Sequence, residues 1–550
     1  MIFSEKNKLP LWRREISIPA IKNRFFHIDL KGPKIPFNVF SSLLQQIARW
    51  GINGVVVEYE HRIPYLVLSE QFPRHQRYTE SQIKFLLEEA KSLGIEWVPL
   101  VQTFGHVEYL SRLKTTENLF ENPKYPSQLC PSNSYVRKYI EELIDYVCYL
   151  HPESKYIHIG QDETRQLGLC DVCSKRMKKI GGKIELYLEH FMFVCDQVFK
   201  RGRIPVAWAD MLIGNGRFDL IRKIDKRVVL IPWDYSSIGK TSKFVIYKGF
   251  RPSKKQFYNR YTDPEPILDF PDSGKFFEDL GSKEIKNIVM DEESGYPVSF
   301  AQVRLLAKTK RPLWAASGLY MSADMQLHAN FVRGVLNPLG MCDILISLGG
   351  EGVLGTLWAR GHSFAPVNAP WTTVLYNLVQ FARVSYSGET KPEHFRKNAR
   401  EIARELDMPE IYAGCWTFDD ICWIISSASS RGKTTTIANV IDILEKENVS
   451  GCFGEGLALC LKAEYLQSMV RSVLDEARWW YSTRNEMPSD LKNGMKSRFL
   501  DASKESEKLK RHLQDYYLKW IGDKESFSLW WDNLFNLDML LAKDVMKMFR

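Results

Sequence analysis

Eight short runs rich in Val, Ile and aromatic residues recur through the first two thirds of the chain: FFHIDL (25–30), GVVVEYE (54–60), WVPLVQTFGH (97–106), YIHIGQDE (156–163), IPVAWADM (204–211), VVLIPWDY (228–235), PLWAASGL (312–319) and GVLGTLWARG (352–361). Helix-like segments separate them, among them FNVFSSLLQQIARWG, TESQIKFLLEEAKSLG, SYVRKYIEELIDYVCYL and ELYLEHFMFVCDQVFKRG, and several stop at glycine. Strands that alternate with helices pair in parallel. The strand runs are apolar on both parities, as expected when both faces of the sheet are covered. A doubly wound sheet also alternates in this way, but a count of eight predicts an α/β fold of the (β/α)8 type.

The pattern divides the chain. Residues 1–23 read as an N-terminal extension and 24–385 as the barrel. The polar, Pro-containing stretch between Trp233 and Leu313 reads as an insertion around 240–300. From 386 to 550 strand runs fade, and Leu466, Met469, Val470, Val473 and Leu474 recur at helical spacing, which predicts a helical C-terminal domain. SSASSRGKTTT (426–436) is not a phosphate-binding loop, because Ser427 stands where the motif needs its first glycine.

Composition excludes some partners. The formal net charge is +9, but the basic residues are spread along the chain and the densest cluster, RPSKK at Arg251–Lys255, is short. No nucleic-acid footprint is expected from that pattern. No apolar run reaches the roughly 20 residues that cross a bilayer, so no membrane partner is expected. The N-terminal MIFSEKNKLPLWRREISIP lacks an apolar signal core, and ten cysteines are scattered without framework spacing. Both point to a cytoplasmic protein with reduced thiols. Cys170 and Cys173 form one CxxC, which supplies two of the four ligands a structural zinc site takes; Cys130, Cys148 or Cys195 would have to complete it. Free thiols or a local loop staple are expected there in preference to zinc.

Polar residues gather at the strand ends: Asp29; Glu58 and Glu60; Gln102 and His106; His158, Asp162 and Glu163; Asp210; Asp234; Arg360 and His362. One such residue is usually a helix cap. In a (β/α)8 barrel, however, the active site lies at the C-terminal strand ends. Trp208, Trp233, Trp314 and Trp358 fall in strands five to eight. Any one of them fits a core, but together they suggest an aromatic-walled pocket suited to the apolar faces of a sugar.

Asp162 and Glu163 stand side by side. His158, Gly160 and Asp162 share one parity. Glu163 falls on the other, but the strand is ending and a turn can aim it over the mouth. The two carboxylates then have different surroundings, and an ionised Asp162 disfavours ionisation of Glu163, as a general acid near neutral pH requires. The alternative at this point is that either residue caps the next helix.

HIGQDE resembles the His-x-Gly-x-Asp-Glu signature of family-20 glycoside hydrolases, the β-N-acetylhexosaminidases. RFFHIDLKGP, GINGVVVEYEHRIPY, VPLVQTFGHVEYL, HIGQDETRQLG, VAWADML, WDY and LWAAS look, in that order, like the hexosaminidase D branch. The resemblance covers roughly residues 24 to 385. It implies an exo-acting retaining hydrolase in which the substrate's own 2-acetamido oxygen is the nucleophile. Glu163 is then the general acid/base, and Asp162 orients the acetamido group and stabilises the oxazolinium. The resemblance further implies that Arg24, five residues before Asp29, holds sugar hydroxyls. It makes Glu60, His106 and His158 pocket residues and Trp208, Trp233 and Trp358 the walls. Arg360 departs from the family pattern, in which Trp-x-Glu is usual on strand eight. The family's acetamido-binding Tyr is either Tyr235 or Tyr320.

The implied partner is a glycan or glycoconjugate with a terminal N-acetylglucosamine or N-acetylgalactosamine; a homodimer is left open. No cofactor or metal is expected for that chemistry. Two other classes compete. One is a metal-dependent barrel aldolase or isomerase with His27, Asp29, His106, His158 and Glu163 as ligands. The other is a non-catalytic glycan-binding barrel, which has no need of an acid at Glu163.

Overall fold

The computed structural model describes residues 8–65, 72–213, 218–235, 237, 288, 298–321, 327–360, 367, 369–391, 394, 401–408, 451–483 and 486–548. Most of the expected insertion at 240–300, and all of 426–436, lie outside them.

Each of the eight apolar runs contains a strand: β1 (Asn23–Asp29), β2 (Gly54–Glu58), β3 (Glu96–Leu100), β4 (Tyr156–His158), β5 (Ile204–Trp208), β6 (Val229–Ile231), β7 (Trp314–Met321) and β8 (Gly352–Trp358). They form one sheet in the order β6-β5-β4-β3-β2-β1-β8-β7. Every pairing is parallel, and β1 sits between β2 and β8 with Phe25 opposite Gly54 on one side and Leu354 on the other. The outer edges meet through a parallel bridge between Trp233 and Ala316. There the Ala316 N–H donates to the Pro232 carbonyl (2.9 Å) and the Asp234 N–H to the Ala316 carbonyl (3.3 Å). The sheet is therefore a nearly closed (β/α)8 barrel.

Strand parity sorts the apolar residues into two layers. Phe25, Val56, Val98, Leu100, Val206, Val229, Ile231, Ala316 and Leu354 fill the barrel interior. Phe26, Ile28, Val55, Val57, Ile157, Ala207 and Leu230 face outward into the larger core under the helices. Full burial of a Val, Leu or Phe side chain stabilises by about 1.5–3 kcal/mol, so both parities must be apolar. The covering helices include α1 (Phe37–Trp50), α2 (Glu80–Ser92), α3 (Ser134–Leu150), α4 (Asp171–Ile180), α5 (Lys183–Lys200), α6 (Ala301–Ala307), α7 (Phe331–Ser347) and α8 (Leu375–Ser387). Their ends follow from local chemistry. Thr79 and Gln82 form a capping box on α2, and the Asn330 side chain caps α7.

The C-terminal region is mainly helical: α9 (Gly451–Thr483), α10 (Ser489–Trp520), α11 (Lys524–Trp531) and α12 (Leu537–Met548). These helices are not set apart from the barrel. Leu457, Leu461, Leu513 and Tyr516 join the same apolar core as the barrel's outer layer. The Tyr516 hydroxyl donates to the Cys452 carbonyl and accepts from the Thr372 hydroxyl, each at 2.6 Å. The Trp371 indole N–H donates to the Trp520 carbonyl (3.1 Å).

Candidate active site

The backbone is unusual where β2, β3 and β4 end. Glu60 (φ 45°), His106 (55°), Gln161 (81°) and Glu163 (50°) all adopt left-handed conformations without being glycine. Each costs of order 1 kcal/mol or more, and such strain concentrates at functional sites. Gly160 is also left-handed (φ 70°), and a Cβ there would lie 2.0 Å from Gln102 Oε1. The chain thus pulls its β4 loop close against β3.

Because β4 ends at His158, strand parity does not reach Asp162 or Glu163; left-handed residues at Gly160, Gln161 and Glu163 make the turn that places the pair. Asp162 stays largely buried, with a side chain 9% exposed, whereas the Glu163 side chain is 29% exposed at the lip. His106 Nε2 lies 3.2 Å from Asp162 Oδ2 and 3.7 Å from Glu163 Oε2. Burial opposes a charge on His106, but the Asp162 carboxylate overrides it and pushes the imidazole pKa up to about 10. Arg165 donates to Glu163 Oε1 (3.1 Å), so two cations face that carboxylate besides its neighbour Asp162. The Glu163 main-chain N–H donates to Asp210 Oδ2 (3.3 Å), which fixes the turn. Asp210 opens a short helical turn after β5.

Behind the pair lies a buried charged floor. Lys31 Nζ is 2.7 Å from Glu58 Oε2 and 3.3 Å from Asp29 Oδ1, and all three side chains are at most 2% exposed. His27 Nε2 sits 3.2 Å from Glu58 Oε2, and the Gln102 amide donates to Glu58 Oε1 (2.9 Å). Asp29 Oδ2 accepts the Ala359 N–H (2.9 Å), tying β1 to the end of β8. Burial pushes the Asp29 carboxyl up. At Glu58 burial pushes the same way, but Lys31 and His27 prevail and hold it well below the usual carboxylate range. Glu60, itself buried, lies near the half-buried Arg360. Burial lowers the Arg360 pKa, while Glu60 and Asp29 favour its charge.

Aromatic rings wall the other side. The His158 ring packs on Trp208 at 4.5 Å between centroids, Trp208 on Trp358 at 5.7 Å, and His27 on Trp358 at 4.5 Å. Trp233 stacks on Tyr235 at 5.1 Å. Burial drives the His158 pKa down to about 3, so this imidazole is neutral; Nδ1 accepts the Gly160 N–H (3.1 Å). The Trp208 indole N–H is buried and has no acceptor among the described residues. Tyr235 and Tyr320 separate cleanly. Tyr235 belongs to the interior cluster, with its hydroxyl beside the Trp358 indole and Thr356. Tyr320 lies in the outer layer and its hydroxyl accepts the Ala369 N–H.

Two expected site residues are not brought to this end of the barrel. Arg24 is the second residue of β1, at the opposite mouth. Its guanidinium donates to the carbonyls of Gly51 (2.8 Å), Ile21 (2.6 Å) and Lys22 (2.9 Å) and lies over the Tyr386 ring. Trp314 opens β7 and packs edge-on against Phe25 at 5.0 Å and near Tyr156. Both belong to the base of the barrel. Asp29, Glu60, His106, His158, Asp162, Glu163, Trp208, Trp233, Tyr235, Trp358 and Arg360 do gather at the C-terminal mouth. The five ligands of the aldolase alternative do not converge on one point. Among the described residues, the only cluster of three or more metal-ligating side chains lies elsewhere. Lys31 was missed by sequence reasoning, and Glu58 and Asp210 were noted there as strand-end carboxylates without being assigned to the site. Lys31 and Glu58 share the inward parity of His27 and Asp29 or pair with it, and parity was the signal that could have found them.

The sequence profile described as glycosyl hydrolase family 20, catalytic domain, matches residues 58–251. Hexosaminidase D of Bos taurus is 30% identical over 237 residues, which is 42% of this chain and 68% of that protein. Hexosaminidase D of Homo sapiens is 30% identical over 218 residues, 39% of this chain and 45% of that protein. Among solved structures, a Flavobacterium johnsoniae chitobiase is similar at a TM-score of 0.49 and 14% identity, over 96% of this chain and 71% of that one. A Bacteroides fragilis β-N-acetylhexosaminidase is similar at a TM-score of 0.47 and 16% identity, over 72% and 74%. The profile match spans the strand ends that carry Glu60, His106, the Asp162–Glu163 pair and Asp210, and with the identity to the bovine protein it places this (β/α)8 chain among the glycoside hydrolases of family 20.

Proposed function

We propose that the protein is an exo-acting, retaining β-N-acetylhexosaminidase that uses the substrate's 2-acetamido oxygen as its nucleophile. The observation that carries this reading is the division of the adjacent carboxylates: Asp162 is enclosed and paired to His106, while Glu163 stands at the lip. Adjacent acids so placed can serve different atoms. Glu163 gives its proton to the glycosidic oxygen as the C1–O bond breaks and the acetamido oxygen closes on C1. Asp162 accepts the acetamido N–H and stabilises the positive charge that develops on the oxazolinium. Glu163, now a carboxylate, takes a proton from water as it attacks C1 and opens that ring. Trp208, Trp233, Trp358 and Tyr235 supply the apolar walls, and the Tyr235 hydroxyl is the candidate donor to the acetamido carbonyl. Glu60 and Arg360, near each other at the C-terminal mouth, are the candidates for holding the sugar hydroxyls, the role expected of Arg24. Names of relatives such as hexosaminidase D support the substrate class.

The test is hydrolysis of a chitobiose-type disaccharide and of p-nitrophenyl N-acetylglucosaminide and N-acetylgalactosaminide. Glu163→Gln is expected to lower kcat on the disaccharide by about 10²–10⁴-fold and much less on the nitrophenyl glycosides, whose leaving group needs little protonation. Equal losses on both kinds of substrate, or wild-type rates on the disaccharide, would refute the acid assignment.

A further inference from the structure

Four side chains outside the pocket make a second constellation. Glu121, Cys130, Cys170 and Cys173 bring their ligand atoms within 4.8 Å of one another. Cys130 Sγ is 3.7 Å from Cys170 Sγ and 3.5 Å from Cys173 Sγ. A disulfide would need about 2.05 Å. A tetrahedron with metal–sulfur bonds of about 2.3 Å has edges of about 3.8 Å, close to what is seen. Cys148 and Cys195, the other cysteines named as partners for the CxxC, are not in the cluster.

The surroundings fit a cation as well. Glu121 is buried, 2% exposed, and forms no ion pair among the described residues. A carboxylate so enclosed is costly unless a positive charge compensates it. Cys170 caps α4 and Cys173 lies in its first turn, so both sulfurs sit at the positive end of the helix dipole. The supporting contacts resemble those that orient ligands in metal sites. The Cys173 N–H donates to Cys170 Sγ (3.4 Å), the Cys170 N–H to Glu121 Oε1 (3.0 Å), and Ser132 Oγ lies 3.1 Å from Cys173 Sγ. Three cysteine sulfurs and one carboxylate within 4.8 Å of one another are a soft donor set that selects zinc over magnesium or calcium.

We propose that Glu121, Cys130, Cys170 and Cys173 bind a structural zinc ion that staples the loop after β3 to the loop after β4. The first loop carries His106 and the second carries Asp162 and Glu163. Within the first, the Leu129 N–H donates to the Phe104 carbonyl (2.9 Å), the Cys130 N–H to Leu119 (2.8 Å) and the Glu121 N–H to Gln128 (2.9 Å), so Glu121 and Cys130 are rigidly joined to the strand that leads to His106. Across to the second, the Gln166 N–H donates to Gln128 Oε1 (3.0 Å). The ion would add a strong bond set to this seam and hold His106 against the carboxylate pair. It takes no part in the chemistry, so its role is positioning.

The full chain, purified without chelator and with no histidine tag, is expected to carry about one zinc per molecule by mass spectrometry of the metal. Cys130→Ser and Glu121→Gln are expected to lose most of it. Because a cysteine variant can fail to fold, the wild-type protein is also loaded with cobalt(II), which should give thiolate charge-transfer and tetrahedral d–d bands. Chelation is expected to lower kcat and to leave KM for a nitrophenyl N-acetylglucosaminide little changed, with recovery on adding zinc. The proposal is overturned if protein incubated with zinc and desalted holds far less than one equivalent. It is equally overturned if Cys130→Ser keeps the wild-type content or if a disulfide joins any of the three cysteines. Metal content and cobalt spectra do not depend on the glycosidase assignment, so the two readings fail separately.

Discussion

At His106 a single residue carries the charge state of the site. Burial and the Lys31 ammonium oppose its protonation, and Asp162 and Glu108 favour it, with Asp162 decisive. Its folded pKa, about 10, lies above the ordinary value of 6.5. The pair with Asp162 therefore stabilises the fold in full below about pH 6.5, and that contribution disappears as pH rises toward 10. His106→Gln is expected to be less stable than wild type at pH 6 and to converge on it near pH 10, read from urea midpoints across that range. A difference that stays constant with pH would contradict a charged His106. Strict alternation puts His27 and Asp29 on one face of β1 and carries the same parity on to Lys31, two residues past the strand's end, a signal that was in the sequence but was not read for Lys31. Arg24 shows where a motif-based expectation parts from geometry. Five strand residues put it about 16 Å from Asp29, at the other mouth, where three backbone carbonyls engage its guanidinium. Trp314, the first residue of β7, fails as a wall for the same reason.

At the scale of elements, the strands were legible because burial on both faces leaves long apolar runs with little else to explain them. Their ends were less so. The run 97–106 holds a strand only to Leu100, and the run 156–163 only to His158; the rest is loop with left-handed turns that alternation does not reveal. Nor could spacing show that Cys130, 40 residues from Cys170, meets it across two loops. The close seam between β3 and the β4 loop depends on Gly160. Gly160→Ala combines two penalties: a left-handed residue with a Cβ, about 1–2 kcal/mol, and a clash with the Gln102 amide that supports Glu58. Gly94 is a control, since it too is left-handed (φ 69°) but a Cβ there would meet nothing within 4 Å. Gly160→Ala is expected to lower stability more than Gly94→Ala in urea unfolding and, unlike it, to reduce kcat. If the two variants behave alike, the contact with Gln102 has no consequence for the site.

At the scale of the molecule, the C-terminal helices are an integral wall of the barrel and close to its mouth. The sequence distinguished them by period but could not say what they pack on, because an amphipathic stripe does not name its partner. The structure joins them to the barrel through Tyr516 with Thr372, Trp371 with the Trp520 carbonyl, and His75 with Glu525 at 3.0 Å. Tyr517 on α10 reaches far enough for its hydroxyl to feel the charges of Arg360 and Arg62. Arg62 in turn donates to the carbonyls of Leu30 (3.1 Å) and Gly32 (2.6 Å), just beyond Asp29 and beside Lys31. A chain cut after Thr483 would expose the outer core around Trp371 and leave Arg360 without this backing. It is expected to unfold at lower temperature than the full chain, and any active fraction to show a raised KM for a nitrophenyl N-acetylglucosaminide. Tyr516→Phe removes two buried hydrogen bonds and leaves the ring, so it should cost about 1–3 kcal/mol with kcat unchanged. The comparison separates support from chemistry. If the truncated protein keeps the full chain's melting temperature and KM, then α10 to α12 form an independent unit and the continuity of the core across Tyr516 contributes nothing to the barrel.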